Sequence, residues 1–283
     1  MNNTISIERK MYLKNKKKRK YQILFTQLFI LIAFVFLWEI LGNLGIINPF
    51  ITSQPSRILK TLLNFSSNNL LLHISITCYE TLVGFTLGTF LGTVIAFLLW
   101  WSNFASDVAE PFLIVLHSLP KVALGPIIIV WAGAGTSAII VMALAISIIV
   151  TILEMLNGFI STDKNLIKMA NTFNASKWQI FSKIVFPSNI STLINAMKVN
   201  IGLSLVGVIS GEFLVSKAGL GYLIVYGGQV FKLDLVMTSV IILGVVAALM
   251  YKAVLMLEKI IMRFIMHIKV WICATQTNFI HQI

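Results

Sequence analysis

Apolar residues in this chain occur in long runs that are separated by short polar segments. Several runs reach the length of about 20 residues that a helix needs to cross a membrane, and hydrophobic residues make up 58% of the 283 residues. The pattern predicts an all-α polytopic membrane protein with about six transmembrane helices. The predicted spans are residues 23–41, 70–101, 107–131, 136–156, 191–214 and 235–257.

These spans divide the chain into four parts. Residues 1–20 form a basic cytoplasmic N-terminus, and residues 21–69 hold the first transmembrane helix and an outer loop. Residues 70–263 form a core of five transmembrane helices, which a polar segment at 159–190 interrupts. The remaining residues, 264–283, form a C-terminal tail to which no pattern assigns a role. Within the outer loop, Ser56 is expected to begin a short surface helix.

The charged residues indicate the orientation of the chain in the membrane. The formal net charge is +12, and a basic block within residues 1–20 directly precedes the first apolar run. In a soluble protein such a block would suggest nucleic acid, but beside an apolar span it favours a cytoplasmic N-terminus. The segments predicted to be cytoplasmic carry 15 Lys and Arg residues, whereas the outer loops carry 4. We therefore predict that both termini are cytoplasmic and that nucleic acid is not a partner. The four outer cations are Arg57, Lys60, Lys217 and Lys232.

Glycines repeat every four residues in the second predicted span, at Gly84, Gly88 and Gly92. Small residues stacked on one helix face allow another helix to approach closely, so this row is expected to be a packing seam. A bending point is the alternative interpretation. The seam is also the only indication of where two copies of the chain could meet. Glu80, near one end of the span, is expected at the membrane interface.

Prolines and glycines interrupt the span predicted at 107–131. Broken helices at membrane depth require protein or a water-filled cavity to satisfy the freed backbone groups, so residues 117–126 are expected to line a transport path. Lys121 could attract anions there, or it could reach the interface along its own aliphatic stem.

A second candidate path site follows the fifth span. Glu212 is costly inside a membrane unless it meets water, a partner or substrate. Two interpretations stay open: it is a path residue, or it is a buried hydrogen-bonding residue that holds the following turn at Gly219 and Gly221.

The polar segment 159–190 has the pattern of two amphipathic helices joined by a turn. Ser161 or Thr162 is expected to cap the first helix, and Asn174 suits the left-handed conformation at its end. Ser176 is expected to cap the second helix. Pro187 is expected to end it, because proline cannot continue helical hydrogen bonding. We expect a partner protein to bind this segment.

Four motifs in order, over about residues 31–260, resemble the permease subunits of ABC importers that handle nitrate, sulfonates, taurine, bicarbonate and thiamine-precursor pyrimidines. The run ANTFNASKWQIFSKIVFP resembles their EAA loop, although Lys168 replaces the usual Glu and Asn174 the usual Gly. The run LPKVALGPIIIVWAGAG resembles a second segment, with Ala132 in place of the usual Phe. The other two motifs are LWEILGNLGIINPFITSQPSRILKTL, and GEF followed by GLGYLI.

The resemblance implies a type I importer core that encloses the translocation path as a homodimer. It also implies a homodimeric ABC ATPase and an extracytoplasmic solute-binding protein as partners. ATP would be bound by the ATPase, because this chain has no G-x-x-x-x-G-K-[ST] phosphate loop. The implied ATPase-docking residues are Ala170, Thr172, Phe173, Asn174, Ala175, Ser176, Trp178, Phe181 and Pro187. The expected path residues are Pro120, Lys121, Pro126, Glu212, Gly219 and Gly221.

Two other classes of function would make different demands on the same residues. An ion-coupled secondary transporter would use carboxyl groups inside the membrane, for which Glu212 and Glu154 are available, although the chain shows no convincing internal repeat. A membrane-embedded enzyme would need a nucleophile with a base, or a set of metal ligands, and the 4 histidines are scattered singly. The sequence predicts a transport subunit, not an enzyme, with no catalytic residue, metal site or cofactor of its own.

Overall fold

The computed structural model describes residues 7–63 and 69–280, with the side chains of 9, 11–63 and 69–263. The regular elements in this part are all helical. A 3-10 turn (Lys121–Leu124) precedes the sixth α-helix, and a π-helical turn (Phe181–Val185) follows the ninth. The α-helices are α1 (Ile7–Asn43), α2 (Pro49–Thr52), α3 (Pro55–Leu63), α4 (Leu70–Trp101), α5 (Asn103–Ser118), α6 (Gly125–Ala132), α7 (Thr136–Ile160), α8 (Lys164–Thr172), α9 (Lys177–Ile180), α10 (Phe186–Ser188), α11 (Ile190–Val215), α12 (Leu220–Gln229) and α13 (Leu233–Ile280).

Five of the described helices are long and apolar enough to cross a membrane: α1, α4, α7, α11 and α13. Helices α5 and α6 meet at an angle of 86° and make a sixth span if they are taken as one broken helix. These findings confirm the predicted polytopic all-α fold, and the predicted interruption lies between α5 and α6. Helix α4 has the predicted bounds, because a predominantly apolar run lies between polar Asn69 and Ser102.

Helices α4, α7 and α11 pack against one another and form the centre of the described fold. The glycine row of α4 makes this packing possible. A Cβ atom added to Gly84 would lie 2.6 Å from the Cβ atom of Ala143, and one added to Gly92 would lie 2.5 Å from the Cβ atom of Thr151. Between them, Gly88 faces Ser147 in the same way.

The row is therefore a packing seam, as predicted. The hypothesis that it joins two copies of the chain is wrong, because α7 of the same chain occupies it.

Helix α1 stands beside this centre. None of its 18 most apolar residues is buried, and its contacts are made near its C-terminal end with the segment that leads into α3. There the backbone N–H of Ser56 donates to Glu39 Oε2 (3.1 Å), and Gln54 Nε2 donates to Asn43 Oδ1 (3.1 Å). The short helix predicted to begin at Ser56 is α3, which starts one residue earlier with Pro55.

Helix α13 packs against α11 and α12. Lys198 of α11 and Glu258 of α13 form an ion pair with a separation of 2.8 Å. The helix does not end near residue 257 as predicted but continues to Ile280, so the expected tail begins as helical backbone. The tail's side chains, residues 281–283 and residues 1–6 of the basic N-terminus lie outside the described residues.

Candidate functional site

The predicted two-helix segment is present, and we call residues 163–189 the docking unit. Helix α8 is capped by Asp163, whose carboxylate accepts a hydrogen bond from the backbone N–H of Asn165 (2.8 Å). The prediction that Ser161 or Thr162 caps this helix is wrong. Helix α7 continues about one turn past its predicted end, so both residues belong to that helix end and the next polar side chain becomes the cap.

The turn between the two helices follows the prediction. Asn174 has a φ of 54°, in the left-handed region that a helix end commonly uses, so asparagine in place of the usual glycine fits this position. Ser176 and Gln179 form a reciprocal capping box. The Ser176 hydroxyl accepts from the Gln179 N–H (3.3 Å), and Gln179 Oε1 accepts from the Ser176 N–H (2.8 Å).

The end of the docking unit differs from the prediction. Pro187 does not end the second helix, because the π-helical turn widens the backbone just before it. The N–H of Phe186 bonds to the carbonyl of Phe181, five residues back, and Pro187 then lies in α10 at a position where helices tolerate proline. The break comes at Asn189, where α11 begins.

Four apolar side chains of the docking unit are exposed, and we call them the docking surface. They are Leu166 (40% exposed), Met169 (52%), Phe173 (79%) and Trp178 (58%). The first three are spaced at i, i+3 and i+7, so they share one face of the first helix. Phe173 and Trp178 are among the predicted docking residues, whereas Leu166 and Met169 are not, although their i, i+3 spacing is visible in the sequence.

The other predicted docking residues divide between the surface and the interior. Thr172, Asn174, Ser176 and Pro187 are exposed, and Ala175 is half-buried. Ala170 and Phe181 are buried in the core that the docking unit forms with α4 and α7, so neither can touch a partner in this conformation. The assignment of the remaining residues to ATPase docking stays a prediction.

Phe181 lies at the centre of an aromatic cluster. Its ring centroid is 4.4 Å from that of Phe97 and 5.2 Å from that of Trp100, both on α4. It is 5.3 Å from the ring of Phe159 on α7. The cluster therefore joins the docking unit to two core helices.

The candidate path residues at the bend between α5 and α6 lie near the surface of the protein. Pro120 and Pro126 are exposed, and Lys121 is half-buried. The Lys121 ammonium donates to the carbonyl of His117 (2.8 Å), one turn earlier. It thereby satisfies a backbone group that the broken helix leaves free.

The second candidate path site surrounds Gly219, and we call residues 216–221 the Gly219 turn. Three consecutive backbone N–H groups at the start of α12 are bonded by side chains of other helices. Gly219 donates to His73 Nδ1 (2.9 Å), Leu220 to Thr77 Oγ1 (2.8 Å) and Gly221 to Glu212 Oε2 (2.5 Å).

Thr77 also donates to Glu212 Oε1 at 2.6 Å. The described contacts of Glu212 are thus those of a residue that holds the turn, and its role as a path residue stays a prediction.

Glu80 differs from its expected place at the membrane interface. Its side chain is 1% exposed and lies beside Glu212 and Thr136, with neither carboxyl oxygen in a well-aligned hydrogen bond to a described residue. Among the residues that the structure describes, no group of three or more His, Cys, Asp and Glu side chains is arranged to hold a metal ion, so we assign no metal ligands here.

Residues 85–267 match the family of binding-protein-dependent transport system inner membrane components. The match covers well over half of the chain, so the chain belongs to this family. It is a permease subunit of an ABC importer and forms part of the route by which solute crosses the membrane. Family membership favours this function over the ion-coupled transporter considered from the sequence.

Two of the curated relatives that are named for a cargo match most of this chain. A putative aliphatic sulfonates transport permease of Bacillus subtilis is 27% identical over 81% of this chain and 83% of its own length. A formylaminopyrimidine transport permease of Halalkalibacterium halodurans is 25% identical over 87% of this chain and 97% of its own length.

Two solved structures share the fold. A chain of the MetNI methionine ABC transporter in an inward-facing conformation has a TM-score of 0.62 at 18% identity, covering 69% of this chain and 98% of that one. A chain of a bacterial ABC transporter involved in the import of the acidic polysaccharide alginate has a TM-score of 0.58 at 15% identity, covering 88% and 98%. At these identities the likeness shows the fold, which is that of ABC importer permeases.

Proposed function

We propose that two copies of this chain enclose the path of an ATP-driven importer, with an ABC ATPase subunit bound to each docking unit. The docking surface is the observation that carries this proposal. Four apolar side chains are exposed on a polar connecting segment, and clustered exposed apolar groups mark contact sites for other proteins. ATP is bound and hydrolysed by the ATPase, so the chain needs no cofactor or catalytic residue of its own.

The proposed mechanism is mechanical. Closure of the ATPase dimer on nucleotide moves the docking units, and the spans change between inward-facing and outward-facing arrangements. A solute-binding protein delivers solute at the opposite end, near the loops at 42–69 and 215–234. The docking unit and both termini are cytoplasmic, because the basic residues are concentrated on that side.

The proposed cargo is a small sulfonate-like anion or a thiamine-precursor pyrimidine, the two chemistries carried by the named relatives. The charge near the predicted outer end favours the anion. Arg57 and Lys232, two of the four cations in the predicted outer loops, line one cavity of about 320 Å³ together with a single carboxylate, Asp234, so cations outnumber anions there. Uptake into vesicles that contain the permease, its ATPase and its binding protein would be measured with an alkanesulfonate and with a formylaminopyrimidine. If neither compound is taken up, the cargo proposal is wrong.

Capture of an ATPase tests the docking proposal. Trp178→Ala removes a large exposed anchor of the kind that dominates many interfaces, and Ala175→Asp places a charge beside it. Each change is expected to weaken capture of the ATPase from mild detergent by roughly tenfold or more, while the permease still inserts. Phe173→Ala is expected to act in the same direction, because its ring is the most exposed of the four.

Trp131→Ala is the matched control for this experiment. Trp131 is also a strongly exposed tryptophan (83%), but it lies at the end of α6, outside the docking unit. Its replacement is expected to leave ATPase capture unchanged. If ATPase capture and solute uptake both survive Trp178→Ala and Ala175→Asp, the docking assignment is wrong.

A further inference from the structure

The docking unit has a second, inward face that is attached to α4. On this face Phe181 contacts Phe97 and Trp100 of α4. In sequence the docking unit lies between α7 and α11, and α4 ends about 60 residues before it begins. The contact therefore ties the docking unit to a helix to which the chain does not directly join it.

Lys177 strengthens this attachment. Its ammonium donates to the carbonyl of Trp101, the last residue of α4. The same ammonium lies 5.8 Å from the ring centroid of Trp100 and 5.6 Å from that of Trp101. A cation is favourable at this position, because the carbonyls at a helix C-terminus are unsatisfied and carry partial negative charge.

Lys183 gives an internal comparison. From sequence, Lys177 and Lys183 belong together, since both are basic residues of the same short helical stretch. In the structure Lys183 is exposed and makes no hydrogen bond or ion pair with a described residue, whereas Lys177 holds the end of α4. The two lysines therefore have different tasks.

We propose that Lys177 and Phe181 are positioning residues, which transmit movement of the docking unit to the end of α4 without themselves binding the ATPase. This inference rests on the proposed function, because it takes the ATPase as the source of the movement. Phe97, Trp178 and Phe181 border an open apolar groove of about 500 Å³ between α4 and the start of α11.

The test measures the accessibility of a thiol placed at the end of α4. Asn103 is exposed two residues beyond α4, so Asn103→Cys, with Cys78 and Cys273 replaced by serine, provides a single reporter thiol. Its rate of maleimide labelling would be measured in the complex with the ATPase, with and without ATP. In the parent and in Lys183→Gln, ATP is expected to change the labelling rate. In Lys177→Gln and Phe181→Leu, that nucleotide-dependent change is expected to be lost, while capture of the ATPase is retained.

Lys177→Arg keeps the charge and a donor, so it is expected to restore the nucleotide response that Lys177→Gln loses. If Lys177 were only a solvent-exposed surface residue, Lys177→Gln and Lys177→Arg would show the same nucleotide response. Lys177 is exposed, so its replacement tests the proposal even if Phe181→Leu fails to fold.

Two results would overturn the inference while leaving the proposed function intact. One is a persistent nucleotide response in Lys177→Gln. The other is a loss of ATPase capture in Lys177→Gln as large as that in Trp178→Ala, which would make Lys177 a contact residue. Failure of the parent protein to capture any ATPase would instead overturn the proposed function, and this inference with it.

Discussion

Helix α11 has a different kind of connection at each of its ends. At its C-terminal end, consecutive backbone N–H groups of the Gly219 turn donate hydrogen bonds to His73, Thr77 and Glu212. At its N-terminal end, the docking unit is held mainly by ring contacts around Phe181. Hydrogen bonds depend steeply on distance and angle, whereas contacts between rings tolerate a range of arrangements.

The difference teaches how one helix can have a fixed end and an adjustable end. The three backbone N–H groups of the Gly219 turn are buried, so each needs an acceptor within the protein, and this requirement fixes the position of the turn. The docking unit satisfies its own backbone groups with local caps, such as Asp163 and Ser176. Its attachment to the core consists of packing around Phe181 together with two hydrogen bonds, from Lys177 to the carbonyl of Trp101 and from Asn189 to Thr162. The packed part can shift without leaving a buried polar group unpaired.

The largest effect is expected for Glu212→Ala. The change removes the acceptor of hydrogen bonds from Thr77 and Gly221 in a fully buried place. Its loss leaves two buried donors unpaired, and we expect the free energy of unfolding to fall by about 3 kcal/mol. Thermal unfolding of the purified protein in mild detergent measures it.

Glu258→Ala is the control for that change, because the Lys198–Glu258 pair is partly exposed (side chains 20% and 31%) and is expected to contribute about 1 kcal/mol or less. Equal losses of stability in the two variants would contradict the claim that Glu212 fixes the turn.

A smaller loss is expected for Gly219→Ala. Gly219 has a φ of 117°, and an added Cβ atom would lie 2.3 Å from the carboxyl carbon of Glu212. Backbone strain and this clash together should reduce stability by about 2–3 kcal/mol. Gly228, in the same short helix, has open space at its Cβ position. Gly228→Ala should therefore be neutral or slightly stabilising, and a similar loss in both variants would be evidence against the argument.

The isosteric change Thr77→Val comes next. Thr77 bridges α4, Glu212 and the N–H of Leu220, and valine fills the same volume without the hydroxyl. We expect a loss of about 1.5 kcal/mol, near the upper end for a hydrogen bond between membrane helices. Thr86→Val is the matched control on the same helix, since the Thr86 hydroxyl is exposed and bonds only to carbonyls of its own helix. That control should leave the unfolding midpoint nearly unchanged.

The smallest effect is expected at the docking-unit end, for Phe159→Leu. Phe159 is fully buried against Phe181, yet a leucine can repack among rings at a cost of about 1 kcal/mol. The comparison between the two ends predicts that this larger change in shape is tolerated better than Thr77→Val. The opposite order of unfolding midpoints would show that the docking unit is the more rigidly specified end.

The span positions could be predicted from sequence because long apolar runs and their polar boundaries are local signals. The cap of α8 could not, because three successive polar residues compete for it and the length of α7 decides among them. The burial of Glu80 could have been predicted from the sequence. It lies ten residues into α4, which is about 15 Å along a helix and close to half the thickness of a membrane core.

The attachment of the docking unit to α4 could not be predicted from the sequence, for a different reason. Lys177 and Lys183 look alike in sequence, and the partner of Lys177 is a backbone carbonyl 76 residues away. Since a backbone carbonyl is present at every position of the chain, no pattern of residues identifies the one that accepts from Lys177. The same applies to His73, whose ring accepts a hydrogen bond from the N–H of Gly219, 146 residues away. Contacts of side chains with a distant backbone have to be read from the fold.

The glycine seam between α4 and α7 restricts how the two helices can slide along each other. Gly84, Gly88 and Gly92 recur every four residues, and the facing row of Ala143, Ser147 and Thr151 has the same period. Displacement of one helix along the other by a fraction of this period drives side chains into backbone. The rows can mesh again only after a full period of about 6 Å. The two helices are thus restricted to discrete registers, and movement in the membrane has to leave this pair in step.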